Sequence, residues 1–218
     1  AIDAYRSALT SVAAMASPRG IESAFSALTS VREALMGIRD GQKTVLEALS
    51  DSEFMRLKRE LPGALINRDE VVYIEPDADY FSRLAASRGN DADRSFFAAL
   101  KRTYPESVWP VYVDQTTDYG GCTRFGSMSL VETYRIWSEF RRKYPDRYVA
   151  GARRAIDQVL EHLTTSTCAC GNAAAVEQEL ERFRTRFPTC RRSHRSCPAS
   201  NRSTGSGFTR PPEHPPRS

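Results

Sequence analysis

The sequence predicts a mainly α protein: an irregular helical domain with helical hairpins and a minor two-stranded β element. Three observations carry this expectation. Apolar residues recur at steps of three and four along most of the first 188 residues. Ser, Thr, Asp or Asn opens most of those runs, and Gly or Pro closes them. Only 71–74 and 111–113 concentrate β-branched and aromatic residues.

Ile2, Tyr5, Leu9, Val12 and Ala16 fall on one helical face, and Pro18-Arg19-Gly20 ends that helix. Ile21, Phe25, Leu28, Val31, Leu35 and Ile38 form the narrow stripe of a second helix that pairs with a neighbour. The string SALTSV occurs at 7–12 and again at 26–31, a spacing too short for a repeat with its own core. Thr44-x-x-Glu47 and Ser50-x-x-Glu53 both fit capping boxes and predict two short helices before Pro62-Gly63. Val71-Val72-Tyr73-Ile74 is the main strand, with Val111-Tyr112-Val113 as its expected partner. Asp77–Ser87 and Asp91–Tyr104 read as helices with acids in their first turns, which is the ordinary reading of Asp77-x-Asp79 and Asp91-x-Asp93 over a divalent-cation site. Residues 128–143 and 146–164 form two helices around Pro145-Asp146, expected to fold back antiparallel. A last helix runs from Gly171-Asn172 to Phe187.

Residues 1–188 therefore read as a single helical domain, with 1–62 and 63–188 as its natural subdivision. Residues 189–218 read as a disordered basic tail: six Ser, six Arg and five Pro accompany one large apolar residue, Phe208. The net charge of +4 is concentrated there, since six arginines face one acid, Glu213, and the body is left close to neutral. Nucleic acid or an anionic surface is thus a partner for the tail alone. Hydrophobic residues at 40% and charged residues at 27% exclude a membrane-embedded or wholly disordered chain. No apolar run reaches the ~18 residues of a membrane span.

All five cysteines (Cys122, Cys168, Cys170, Cys190 and Cys197) lie in the second half. Such clustering points to disulfides in an oxidising compartment, with an odd thiol left over. An antiparallel hairpin of helices about 24 and 28 Å long would return Cys122 to the segment after residue 164, at 1.5 Å per residue. A bond from Cys122 to Cys168 or to Cys170 is therefore favoured, with Cys190 and Cys197 free to close a local loop. The competing zinc set would be Cys168, Cys170, Cys190, His194 and Cys197, but Cys-x-Cys is not the usual knuckle spacing. No metal or other cofactor is expected. A periplasmic or secreted location follows from the disulfides, and the Ala1 start accords with cleavage of a signal peptide.

The irregular stretch 105–126 is the candidate site. Trp109, Tyr112, Tyr119, Arg124 and Phe125 give it the aromatic and arginine content of a protein-binding surface. Asp114, Asp118 and Cys122, with His162 brought near by the hairpin, are the candidate catalytic set of a hydrolase or transferase. His162 is the only histidine outside the tail, and no phosphate loop, dinucleotide fingerprint or His-Glu-x-x-His occurs. Glu70 and Glu75, flanking the strand, are a weaker acid pair. The function expected from the sequence is therefore that of an exported helical module that binds a protein partner (an inhibitor, an immunity-like protein or an envelope assembly factor). An enzyme with its site in 109–124 is the alternative.

Overall fold

The computed structural model describes residues 1–14, 17–39, 41, 43–105, 108–117, 120–166 and 168–188. Among these it contains eight helices and three antiparallel two-stranded sheets. The chain order is α1 (Ile2–Ala13), α2 (Gly20–Leu35), β1 (Ile38–Arg39), β2 (Lys43–Thr44), α3 (Asp51–Glu60), β3 (Ala64–Asn67), β4 (Tyr73–Pro76), α4 (Ala78–Arg88), α5 (Asp91–Thr103), β5 (Val113–Thr117), β6 (Gly120–Thr123), α6 (Ser129–Lys143), α7 (Val149–Thr165) and α8 (Ala173–Arg186). The fold is mainly α with minor β elements.

The caps explain several boundaries. Ser50 and Glu53 close a full capping box at the start of α3. Asp77 Oδ1 accepts from the amides of Asp79 and Tyr80, and Asn90 with Asp93 forms a second box at α5. Asp77 and one oxygen of Asp93 thus cap helix starts, as their position implied. Thr44 and Glu47 also bond reciprocally, but they brace a turn. Too few residues separate β2 from the Ser50 cap for a helix to nucleate between them. The predicted second helix likewise stops at Leu35, and Ile38 leaves its stripe to stand exposed in β1.

The expected pairing of 71–74 with 111–113 does not occur. Tyr73–Pro76 pairs with Ala64–Asn67, in the register Ile66 to Ile74, and Val113–Thr117 pairs with Gly120–Thr123. Each strand closes on a neighbour a few residues away, which costs less chain entropy than pairing across forty residues.

The core is aromatic. Phe25 lies edge-on to Phe81, Phe96, Phe97 and Tyr148, and Phe96 stacks on Tyr148 with ring centroids 4.0 Å apart. Trp137 is fully buried and its Nε1 donates to Thr103 Oγ1 at 3.0 Å. Each such buried ring contributes roughly 2–3 kcal/mol through area removed from water. A charged knot locks the α6–α7 turn to this core. Arg147 donates to Glu22 at 2.6 Å and to Asp93 at 2.8 Å, and the Tyr148 hydroxyl donates to the same Asp93 oxygen. Burial beside Asp93 pushes the Tyr148 phenol far above its ordinary value. The helices α6 and α7 run antiparallel, since residues 122 and 170 at the hairpin's two open ends approach to a Cα–Cα distance of 5.1 Å.

Candidate functional site

Within 105–126, β5 and β6 pair as an antiparallel β hairpin held at its base. Tyr112, Val113, Thr123 and Phe125 face the helices, while Gln115, Thr116 and Thr117 project into solvent. Cys122 is bonded to Cys170. Beside that bond the Thr123 amide donates to the Cys168 carbonyl and the Cys170 amide donates to the Thr123 carbonyl, both at 2.8 Å, a one-residue parallel bridge opposite Ala169. The bond closes a loop of 48 residues. Chain-entropy reasoning assigns such a closure about 4 kcal/mol.

Below the bridge lies a short polar chain. His162 Nδ1 and Thr123 Oγ1 share a hydrogen bond of 2.8 Å, and Thr123 Oγ1 shares another of 2.7 Å with Ser166 Oγ. Tyr112 meets the imidazole edge to face at 5.0 Å. Burial lowers the His162 pKa, which favours the neutral ring. The chain thus serves to tie the end of α7 to β6.

No family model, curated protein or solved structure matches this chain. The site is therefore read from its own geometry.

The sequence-predicted residues separate into groups. Tyr112 is 1% exposed and Phe125 9% exposed, so both support the hairpin from the core and offer no surface to a partner. Arg124 is exposed and pairs with Asp114 at 3.0 Å across the hairpin base. Trp109 is half-buried and engaged with its surroundings. Asp118, Tyr119, Cys190, Cys197 and the tail with its His194 fall outside the described residues. The proposed nucleophile Cys122 is a disulfide sulfur, so it has no thiolate to offer His162. Cys168 is a free, exposed thiol. Among the described residues no three His, Cys, Asp or Glu side chains come together as a metal site.

The structure adds two features. Arg154, Gln158 and His162 step by four along α7 and lie half-buried beside its buried face of Ala152, Ile156, Val159 and Leu163, with Ser166 following as the C-cap. Against this polar stripe, Tyr104 donates to Gln158 Oε1 at 3.3 Å, and burial pushes its phenol up to about 12. Glu75 pairs with Arg32 at 2.8 Å, yet burial raises its carboxyl above the ordinary range. Glu70 is exposed and takes no part. The four-residue spacing on α7 was visible in the sequence; the convergence of Arg32 and Glu75 upon it was not.

The second feature is Glu179 of α8, 0% exposed. Its Oε2 accepts from the amides of Gly126 at 2.6 Å and Met128 at 3.3 Å. The carboxyl thereby holds the turn that enters α6, where Gly126 and Met128 have φ of +84° and +64°. An acid at a helix N-terminus is favoured by the exposed amides and the dipole there.

Proposed function

We propose that this protein is a binding module of an oxidising compartment, periplasmic or extracellular, and that it engages a protein partner through the hairpin 113–123 and its rim at Trp109 and Arg124. The observation that carries this reading is the anchored hairpin. A disulfide, a backbone bridge and the Asp114–Arg124 pair fix its base, while Gln115, Thr116 and Thr117 stand exposed at its end. A rigid projecting element loses little conformational entropy on binding, so its polar and aromatic contacts translate into affinity. The disulfide supports the compartment, because such bonds persist where the medium oxidises. No helix among the described residues is long and apolar enough to cross a membrane. In the hydrolase or transferase alternative centred on 109–124, the bonded Cys122 offers no thiolate, and the chemistry would fall to the acids.

The test places a photo-crosslinking side chain at Thr116 in the protein expressed in its own cell envelope. A single discrete adduct, abolished by Thr117→Arg at unchanged melting temperature, is the expected result. Adducts equally abundant from a control position on α1, such as Thr10, would refute the hairpin as the contact surface.

A further inference from the structure

We propose that Cys122, Cys168 and Cys170 form a thiol–disulfide exchange site, in which the Cys122 sulfur passes between two neighbouring partners on the 168–170 segment. The geometry of the bridge carries this. Thr123 sits opposite Ala169, with its amide bonded to residue 168 and its carbonyl to residue 170. In such a parallel pairing, side chains alternate between the two sides of the strand. Cys122, one residue before Thr123, therefore shares a side with Cys168 and Cys170, which flank Ala169. The strand register sets Cys122 level with Cys168, while the bond runs to Cys170 at a Cα–Cα distance of 5.1 Å. Neighbouring strands lie roughly 4.8 Å apart, so a bond from Cys122 to Cys168 also falls within the Cα range that disulfides span. Cys168 is a free, exposed thiol beside that bond.

The chemistry balances without any added oxidant. Cys168 Sγ gives its proton to solvent, and the thiolate attacks Cys122 Sγ. The Cys122–Cys168 bond forms as the Cys122–Cys170 bond breaks. The electron pair leaves on Cys170 Sγ, which takes a proton from solvent. One thiol and one disulfide exist before and after. The exchange moves the anchor of the hairpin by two residues along the 168–170 segment. The proposal rests on the bridge and the three sulfurs, independently of the partner-binding reading above.

The experiment uses the full-length oxidised chain. It is incubated at about pH 8.5, where thiols in general are substantially ionised. Acid then quenches the exchange, the free thiol is blocked with a maleimide, and fragmentation of the peptide spanning 154–182 locates the label. Two isomers are expected: label on Cys168 with Cys122–Cys170, and label on Cys170 with Cys122–Cys168. Their ratio should be the same whether the starting sample was freshly purified or reduced and reoxidised in a glutathione buffer. In the same buffer, Cys170→Ser should close the Cys122–Cys168 bond. Label on Cys168 alone at every incubation time would overturn the proposal. So would a folded Cys170→Ser protein in which both remaining thiols stay open, or one in which Cys122 bonds Cys190 or Cys197 instead.

Discussion

Glu179 offers the sharpest test of how this fold is held. Replacing it with Ala removes the acceptor for two backbone amides, Gly126 at 2.6 Å and Met128 at 3.3 Å, in a place that water does not reach. A hydrogen bond to a charged group contributes about 1.5–3 kcal/mol, and the longer bond belongs at or below the bottom of that range. The Ala variant should therefore lose about 2–4 kcal/mol. For a chain of this size that corresponds to a fall in Tm of roughly 5–15 °C. Glu179→Gln keeps a carbonyl oxygen for the same two donors and should lose about half as much. Urea unfolding followed by circular dichroism gives the free energies, with the disulfide kept intact. Hydrogen exchange adds the local readout: the amides of Gly126 and Met128 should lose protection in the Ala variant. An Ala variant within about 0.5 kcal/mol of wild type would refute the reasoning, since that is the range of an unremarkable surface change. Equal losses for Ala and Gln would also refute it, because the effect would then be one of packing rather than of hydrogen bonding.

Two further outcomes follow from other parts of the fold. Burial lowers the His162 pKa in the folded protein, so the unfolded chain binds the extra proton, and stability should be lost as pH falls below about 6.5 towards the folded value. Thermal melts between about pH 7.5 and 5.5 should show this slope in wild type and a flatter one in His162→Asn; parallel slopes would show that burial does not lower the imidazole's pKa. At Gly151 an added Cβ would lie 2.9 Å from Phe96 Cζ and 3.4 Å from Phe25 Cε1. Gly151→Ala gains up to ~1 kcal/mol of helix propensity. It also overpacks the aromatic core at about 1–3 kcal/mol, so a net loss of stability is expected and a higher Tm would count against the packing described here.

Helices were legible because their evidence is local. The apolar spacing from Ile21 to Ile38, of which the helix uses all but Ile38, the capping box at Ser50 and Glu53, and the acids beside Asp77 and Asn90 each act within one or two turns of chain. The helical hairpin of α6 and α7 was legible for the same reason, since Pro145-Asp146 breaks the periodicity between two long apolar faces. From that hairpin alone the neighbourhood of Cys122 and the 168–170 segment could be worked out. The pairing itself, to Cys170 with Cys168 left free, depends on a bridge that exists only once β6 lies against the end of α7.

The strands were harder to read. β3 and β6 are four residues each, and Gly120-Gly121-Cys122-Thr123 has the composition of a turn. The binding residues show the same limit: Tyr112 and Phe125 look like ligand-facing aromatics in a loop, and the packing of the hairpin turns both inward. Glu179 reads as one more charge on a solvated helix face, and nothing near it in sequence hints at its role. Its partners lie about fifty residues away, and only the docking of α8 against α6, through Phe183 and Phe187 on Tyr134, brings the carboxyl to the Gly126 and Met128 amides. The sequence by itself thus determined most of the helices, their main breaks and the hairpin, because propensity, capping and periodicity act over a few residues. Only the tertiary structure decided the strand partners, the disulfide and the buried acid, because each depends on groups distant in sequence whose placement is set by the packing of everything between them.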